Sequence, residues 1–305
     1  MAVNAPGRIP DDRKMDGDRK PADTATFSMV KPGAKIAVYE PNGELYYTRI
    51  FSKIVGPKGK VYVFVPAPGY PAQVRGAEQD MIKKGTMPPP NPVDVANAIM
   101  NAKDYANVRV IWEQLYAFGG EFGLPEQLDV IWSARGYNDL HNKGPLGGPP
   151  GNKVLDVVAV DKAIFATLKP GGYFVVADAA AKGSGFGMTE NLHRADPDSV
   201  KTEIQSAGFT FDAESNVLAN ASDDHAGAAG AQSDQYLLRF RKPTSAPDAK
   251  RPSNSVLSAF YGNTIHSGVG TPVQRWDLYH EDGTYQEYGN TGTRAQTASW
   301  YWDTA

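Results

Sequence analysis

The chain has 305 residues, of which 41% are hydrophobic and 21% are charged, and its formal net charge is −3 at pH 7. This length accommodates one large core, or one α/β domain of about 200–250 residues with a small appendage. The charge gives no basic stripe for nucleic-acid binding, no run of about 18 apolar residues predicts a membrane span, and the absence of cysteine excludes disulfides, thiolate nucleophiles and cysteine-ligated metals.

The first 27 residues are charged and proline-rich, and we expect them to form a surface arm with a helix near Lys20–Phe27. They contain no apolar signal region. The compartment therefore stays open between the cytoplasm and export with the leader removed.

Residues 28–243 alternate between short apolar runs and helix-length segments, the pattern of a mainly parallel sheet with right-handed crossovers. Two long loops, Ala67–Pro92 and Asn142–Asn152, interrupt the pattern, and loops of this length often act as lids or binding loops. The predicted strands are Lys35–Tyr39, Lys60–Val65, Val108–Trp112, Leu128–Ser133, Tyr173–Ala177 and Gln235–Arg241. The predicted helices are Tyr46–Ile54, Pro92–Ala102, Leu155–Leu168 and Ser199–Ala207.

The C-terminal part differs in composition. Residues 244–254 form a polar linker, and 255–305 are rich in Tyr, Trp, Thr and Gly, with a hairpin-turn signal at 281–283. We expect a small antiparallel β unit of three or four strands. Its residues Trp276, Trp300 and Trp302 are expected to build a small core, with carbohydrate or aromatic-ligand binding as the alternative.

Several segments carry a family resemblance. The turn and strand LKPGGYFVVAD (168–178) resemble the entry to strand five of class I S-adenosylmethionine-dependent methyltransferases, and residues 30–50 resemble their strand-one region. A bacterial branch of predicted methyltransferases is more similar still, and this resemblance covers nearly all of residues 10–243. It implies an α/β, Rossmann-like class I methyltransferase fold, with a seven-stranded, mostly parallel sheet and helices on both faces. The segments of that branch are DRKP (18–21), GPKGKVYVFVP (56–66), GYNDLHN (136–142), LHRADPDSVKTEIQSAGF (192–209) and SDQYLLRFRKP (233–243).

The cofactor residues of that family do not carry over. In the family, strand one ends in an acid followed by alternate glycines; here these positions hold Tyr39, Pro41, Gly43 and Leu45. Glu40 lies one residue from the acidic position, and a shift of one residue on a strand turns a side chain to the opposite face.

The family's second acid, at the end of strand two, also has no counterpart in Phe64-Val65-Pro66. Each missing charged hydrogen-bond partner costs about 1.5–3 kcal/mol. We therefore expect no cofactor, and the alternative is S-adenosylmethionine held by Glu40, Gly43 and backbone amides.

Candidate site residues follow the strands, because open α/β sheets bind ligands beyond the carboxyl ends of their strands. A phenol, an amide, a carboxylate and an imidazole follow strand four, and a carboxylate and a His-Arg pair follow strand five. Together they can supply acid–base chemistry, with His141 or Asp139 as the base and Tyr137 and Arg194 as orienting groups; the alternative is a polar loop with ordinary caps. The candidate catalytic residues are Tyr137, Asn138, Asp139, His141, Asp178, His193 and Arg194. The candidate substrate-binding residues are Tyr46, Tyr47, Trp132 and Arg135.

Two other kinds of site are disfavoured. Asp223-Asp224-His225 resembles half of a metal site, but no His-x-x-x-His spacing accompanies it, so we expect a solvated loop and no metal. No Gly-x-Ser-x-Gly turn follows a strand, which argues against a serine hydrolase.

Three hypotheses follow. The leading one is an enzyme on a methyltransferase fold that no longer uses S-adenosylmethionine and acts on a small aromatic or phenolic molecule by lyase-type, acid–base chemistry. The alternatives are an S-adenosylmethionine-dependent methyltransferase with an atypical cofactor loop and a non-catalytic binding protein. The sequence leaves the substrate and the oligomeric state open.

Overall fold

The computed structural model describes residues 2–5, 8–41, 44–65, 95, 98–99, 101–112, 124, 126–143, 155–183 and 185–245, together with the backbone of four strands between 264 and 299. Among the described residues, no helix has the length and apolar character needed to cross a membrane.

Seven strands form the main sheet in the order β3-β2-β1-β4-β5-β7-β6. Within it, β7 runs antiparallel to both of its neighbours, and the other described pairs are parallel. The order reverses direction between β1 and β4, which is where open sheets of this kind have their ligand crevice. The strands are β1 Lys35–Tyr39, β2 Lys60–Val65, β3 Val108–Trp112, β4 Leu128–Ala134, β5 Leu168–Ala179, β6 Thr210–Ser215 and β7 Gln235–Arg241.

Two of the described helices, α4 and α6, start at an aspartate that caps them. Asp156 accepts the backbone N–H of Ala159, and Asp196 accepts that of Ser199, so each side chain satisfies a free donor in the first turn of its helix. A short 3-10 turn, Asn138–His141, follows β4. The helices are α1 Pro10–Arg19, α2 Pro21–Phe27, α3 Tyr46–Val55, α4 Val157–Thr167, α5 Thr189–Leu192 and α6 Pro197–Ser206.

Both faces of the sheet are covered by apolar layers. Alternate residues of a strand point to opposite faces, and accordingly Ile36 and Val38 of β1 pack in the layer that contains α3, whereas Ala37 and Tyr39 pack in the layer that contains α4 and α6.

The N-terminal arm is attached to this layered core more firmly than the sequence predicts. Its helix α1, which the sequence analysis missed, buries Asp12 completely. That carboxylate accepts two hydrogen bonds from Arg49 of α3, at 2.7 Å from Nε and 2.5 Å from Nη2. The charged composition of the segment suggested solvent exposure, but two of its acids, Asp12 and Asp16, pair with the arginines Arg49 and Arg8.

The other differences from the predicted elements are small. The prediction missed β6, because TFDAES is polar and mostly exposed. The strand β5 begins at Leu168, five residues earlier than predicted, because the Pro-Gly-Gly segment belongs to the strand. In the predicted helix Pro92–Ala102, the described residues 95, 98, 99 and 101 are helical, and 92–94, 96–97 and 100 lie outside the described residues.

The C-terminal part forms a separate four-stranded antiparallel sheet in the order β11-β10-β9-β8. The predicted hairpin turn at 281–283, Trp300 and Trp302 lie outside the described residues, and the side chain of Trp276 is likewise not described, so the aromatic core stays a prediction. The strands are β8 Thr264–Ser267, β9 Arg275–Tyr279, β10 Thr284–Tyr288 and β11 Arg294–Ser299.

Candidate active site

The crevice between β1 and β4 is filled by side chains. A Cβ atom placed on Gly136, just after β4, would lie 2.6 Å from Cδ and Cγ of Pro41 and 2.8 Å from Cε1 of Tyr39. The turn after β1 and the turn after β4 are therefore in direct contact. The proline and tyrosine that stand at the family's glycine and acid positions lie between the two strand ends, in the space where the resemblance places S-adenosylmethionine. The predicted cofactor residue Gly43 lies outside the described residues.

The side chain of Glu40 caps the first turn of helix α3 and does not line a pocket among the described residues. It is 1% exposed, and its two oxygens accept the backbone N–H groups of Tyr47 (3.0 Å) and Thr48 (3.1 Å) and the Thr48 hydroxyl (2.8 Å). Burial raises the pKa of Glu40. Since α3 has no side-chain cap of its own, Glu40 supplies the acceptor that the first turn of that helix needs.

Three of the four predicted substrate-binding residues lie in the core. Tyr46, Tyr47 and Trp132 are at most 4% exposed, and the rings of Tyr47 and Trp132 have centroids 4.9 Å apart. The Tyr46 hydroxyl donates to Asp16 of the arm at 2.7 Å. The aromatic lining that the sequence suggested is thus packed between α3, β4 and the arm.

An open pocket of about 190 Å³ lies at the ends of the next two strands, β4 and β5. Arg135 directly follows β4 with a left-handed backbone (φ 54°), and its N–H donates to the carbonyl of Ala177 of β5 at 2.8 Å, which joins the two strand ends. The described lining residues are Arg135, Asn138, Asp139, Asp178, His193 and Ala229, and five of these were predicted site residues.

Asp139 and His193 form a hydrogen-bonded pair in this pocket. The Nδ1 atom of His193 lies 3.0 Å from Oδ1 of Asp139, an oxygen that also accepts the amide of Asn142 at 3.0 Å. The hydrogen bond to Asp139 raises the pKa of His193, whose side chain is 47% exposed. Among the described residues, Nε2 of His193 has no hydrogen-bond partner.

Asp178 anchors the turn that carries Asp139. It is 1% exposed and accepts three hydrogen bonds, from the backbone (3.0 Å) and side chain (2.6 Å) of Asn138 and from the N–H of Ala179 (2.8 Å). Burial, together with the nearby charge of Asp139, raises the pKa of Asp178 to about 6.

Tyr137 and His141 belong to a different cluster, behind the 3-10 turn. The Tyr137 hydroxyl lies 2.7 Å from Asp161 and 2.8 Å from Glu203, and Nε2 of His141 lies 2.9 Å from the same Glu203 oxygen. The imidazole of His141 stacks on Phe186 at 3.6 Å. Tyr137 is fully buried, and neither residue lines the pocket.

Sequence reasoning missed the two acids of this cluster. Asp161 is fully buried in an otherwise apolar turn of α4, and burial raises its pKa well above the usual range, which favours the protonated acid. A lone Asp in the apolar run VVAVDKAIF was the one available signal. Glu203 lies on the polar helix α6 and gave none.

Arg194 holds a loop together. It is 2% exposed and donates to Asp223 (2.8 Å), to the Ser233 hydroxyl (3.1 Å) and to two backbone carbonyls. In the part of the chain that the structure describes, no group of three or more potential metal ligands occurs. His225, of the suspected half-site, pairs with Asp234 at 3.0 Å.

No family model and no curated protein matches the chain. Among solved structures, a SAM-dependent methyltransferase from Aquifex aeolicus is 16% identical, with 76% of this chain and 97% of that chain covered and a TM-score of 0.44. A cyclopropane-fatty-acyl-phospholipid synthase-like protein from Lactobacillus casei is 13% identical, with coverages of 78% and 96% and a TM-score of 0.48. The [4+2]-cyclase SpnF is 13% identical, with coverages of 75% and 82% and a TM-score of 0.43.

At these identities the likeness concerns the fold alone. The sheet itself identifies that fold, since its strand order reverses between β1 and β4 and its one described antiparallel strand, β7, lies between β5 and β6. The chain has the class I methyltransferase-like fold that the sequence predicts, a seven-stranded, mostly parallel sheet with helices on both faces.

Proposed function

We propose that the chain is an enzyme that transfers protons to and from a small polar substrate in the pocket at the ends of β4 and β5. One observation carries this proposal, namely the 3.0 Å hydrogen bond between His193 and Asp139 on the pocket wall. A carboxylate that accepts the Nδ1 proton fixes the tautomer of the imidazole and leaves a lone pair on Nε2.

This arrangement suits a general base. When Nε2 takes a proton from a substrate carbon, Asp139 stabilises the imidazolium that forms, in keeping with the raised pKa of His193. The C–H electron pair then forms a double bond while a leaving group on the neighbouring carbon departs with its own bonding pair and recovers the proton from Nε2. This is a lyase-type elimination, and it needs no other reactant.

Asp178 holds the turn that carries one member of the His193–Asp139 pair. By accepting both N–H groups of Asn138, it holds the 3-10 turn in which Asp139 lies. Its part in this proposal is to position Asp139.

The described lining favours a small polar substrate over an aromatic one. It contains no Phe, Tyr or Trp side chain, and the aromatic residues expected to contact a substrate are packed in the core. The volume of about 190 Å³ is below the range of about 300–1,000 Å³ typical of pockets for drug-sized ligands.

A second candidate function is S-adenosylmethionine-dependent methyl transfer, which the fold favours. In that case the β4–β5 pocket would hold the methyl acceptor. The contact of Tyr39 and Pro41 with Gly136 argues against it, because it fills the crevice where the resemblance puts the cofactor.

Proton exchange into D₂O tests the proposal on many candidate substrates at once. The protein is incubated with a library of small polar metabolites, and loss of a carbon-bound proton is followed by ¹H NMR. We expect exchange of at least one compound by the wild type and its loss in H193Q and D139N.

His225 provides a matched control, since it forms the same kind of His–Asp pair, at 3.0 Å from Asp234, outside the pocket. The variant H225Q should exchange like the wild type. Equal exchange by H193Q and the wild type would refute the proposal, and so would methyl transfer from S-adenosylmethionine with no exchange of any compound.

A further inference from the structure

We infer that the substrate of this pocket is a small carboxylate whose anionic group binds Arg135. The inference rests on the proposed function and adds the chemical class of the substrate to it. It follows from which polar groups of the pocket already have partners in the protein and which do not.

Both acids of the pocket have hydrogen-bond partners in the protein, those of Asp139 on Oδ1. Asp139 accepts from His193 and Asn142, and the oxygens of Asp178 accept three N–H groups. The negative charges of the pocket are therefore used to hold its own walls in place.

Arg135 is not engaged in this way. It is half-buried, and the described residues provide no ion pair or hydrogen bond for its guanidinium. Five other buried or half-buried arginines of the described chain have a carboxylate partner, and half-buried Arg109 donates to the backbone carbonyls of Ala106 and Val108. The five carboxylate pairs are Arg8–Asp16, Arg19–Glu44, Arg49–Asp12, Arg194–Asp223 and Arg239–Asp212.

The backbone of Arg135 provides an independent indication. Its φ of 54° lies in the left-handed region, which non-glycine residues rarely adopt. Such strain persists at functional sites where the surroundings hold it, and here the N–H of Arg135 is held by Ala177 at 2.8 Å. An arginine kept in this conformation, with no partner for its side chain among the described residues, indicates a ligand.

The chemistry of the Arg135 guanidinium and of Nε2 of His193 selects the ligand. A guanidinium binds a carboxylate through two parallel N–H···O bonds, and Nε2 of His193 is free to accept a proton. A ligand that satisfies both carries a carboxylate and an acidic C–H or O–H a few bonds away. The pocket of about 190 Å³ limits it to a small molecule.

Titration calorimetry with matched probes tests this inference. Lactate and lactamide have the same shape, but only lactate is an anion, and benzoate and benzamide repeat the comparison with an aromatic body. Loss of a charge-assisted hydrogen bond predicts at least about tenfold weaker binding of the amides. Inorganic phosphate is the third probe, and tighter binding of phosphate than of either carboxylate would overturn the assignment to carboxylates.

Variants of Arg135 separate recognition of the anion from folding. R135G suits the left-handed backbone and R135Q keeps much of the side-chain length, and both should lose the preference for acids over amides. R135K should keep part of it. The exposed Arg241, outside the pocket, gives the control R241Q, which should behave as the wild type. A preference retained in R135Q and R135G, or absent from the wild type, would overturn the inference.

The two proposals can fail separately. Binding of the carboxylate probes that depends on Arg135, without proton exchange of any compound, would support the anion site and refute the acid–base function. Proton exchange that depends on His193 but is unchanged in R135Q would support the acid–base function and refute the inference that the substrate is a carboxylate bound by Arg135.

Discussion

The contact of Gly136 with Pro41 and Tyr39, between β1 and β4, predicts that the small substitution Gly136→Ala destabilises the folded protein. The backbone of Gly136 has no positive φ, so alanine is allowed there, and replacing glycine normally stabilises a protein by about 0.4–1 kcal/mol through the unfolded state. The added methyl group, however, would lie 2.6 Å from two atoms of Pro41 and 2.8 Å from the ring of Tyr39.

Overpacking of this kind costs about 1–3 kcal/mol. Since the proline ring is tied to the backbone and cannot rotate away, we expect a net destabilisation of about 1–2 kcal/mol once the gain of alanine over glycine is subtracted. Urea denaturation should show it as a lower midpoint with an unchanged slope.

A double-mutant cycle assigns the cost to the contact. In a Pro41→Gly background two of the three close atoms are gone, so Gly136→Ala should cost at least about 1 kcal/mol less. Gly17, on α1, has no atom within 4 Å of an added Cβ, and Gly17→Ala should stabilise the protein. An equal cost of Gly136→Ala with and without Pro41 would refute the filled crevice.

Three further predictions concern charged groups. The substitution Asp12→Ala leaves Arg49, which is 7% exposed, without its buried partner, and it should lower the free energy of unfolding measured in urea by about 3–5 kcal/mol. The double variant Asp12→Leu with Arg49→Met should recover most of this loss. The pKa of His193 is raised, so its pair with Asp139 stabilises the folded state below the unfolded pKa of 6.5, and this stabilisation is lost as the pH rises through the higher folded pKa. The free energy of unfolding of the wild type should therefore exceed that of His193→Gln by more at pH 5.5 than at pH 8.5, and the change should be less than about 1 kcal/mol because the imidazole is half-exposed. A difference that is the same at both pH values would contradict the pair. The pKa of Asp178 is raised from 3.8 to about 6, so the folded state binds more protons than the unfolded state between these values. The free energy of unfolding should therefore fall by about 2 kcal/mol from pH 4 to pH 6 and level off above about pH 7. The variant Asp178→Asn should remove this slope, and its persistence there would contradict the assignment.

Much of the fold was predictable because several strands are rich in apolar residues. KIAVY, KVYVFV and QYLLRFR are strands over the residues that the sequence predicts. The edge strand β6 is short, mostly polar and mostly exposed, so its two apolar residues did not mark it as a strand. The helix α1 was missed for a related reason, since its one buried residue is an acid, Asp12, that pairs with the distant Arg49.

The candidate site was predictable to the level of its segments. The rule that ligands lie beyond the carboxyl ends of strands selected Arg135, Asn138, Asp139 and Asp178, all of which line one pocket. It could not tell which face of the short turn each residue takes, and Tyr137 points away.

The hydrogen-bond partners that are distant in the chain could not be predicted from the sequence. Nothing in the order of residues relates Tyr137 to Asp161 and Glu203, 24 and 66 positions away. The hydroxyl of Tyr46 likewise meets Asp16 only because the arm folds back onto α3.

The most direct test of the central claim, that this fold supports acid–base chemistry beside a filled cofactor crevice, is isothermal titration of the purified wild-type protein with S-adenosylmethionine and S-adenosylhomocysteine. The contact between Pro41, Tyr39 and Gly136 predicts no heat of binding at millimolar concentrations of either compound. Micromolar binding of either one would contradict the claim and turn the search to methyl acceptors in the pocket of His193.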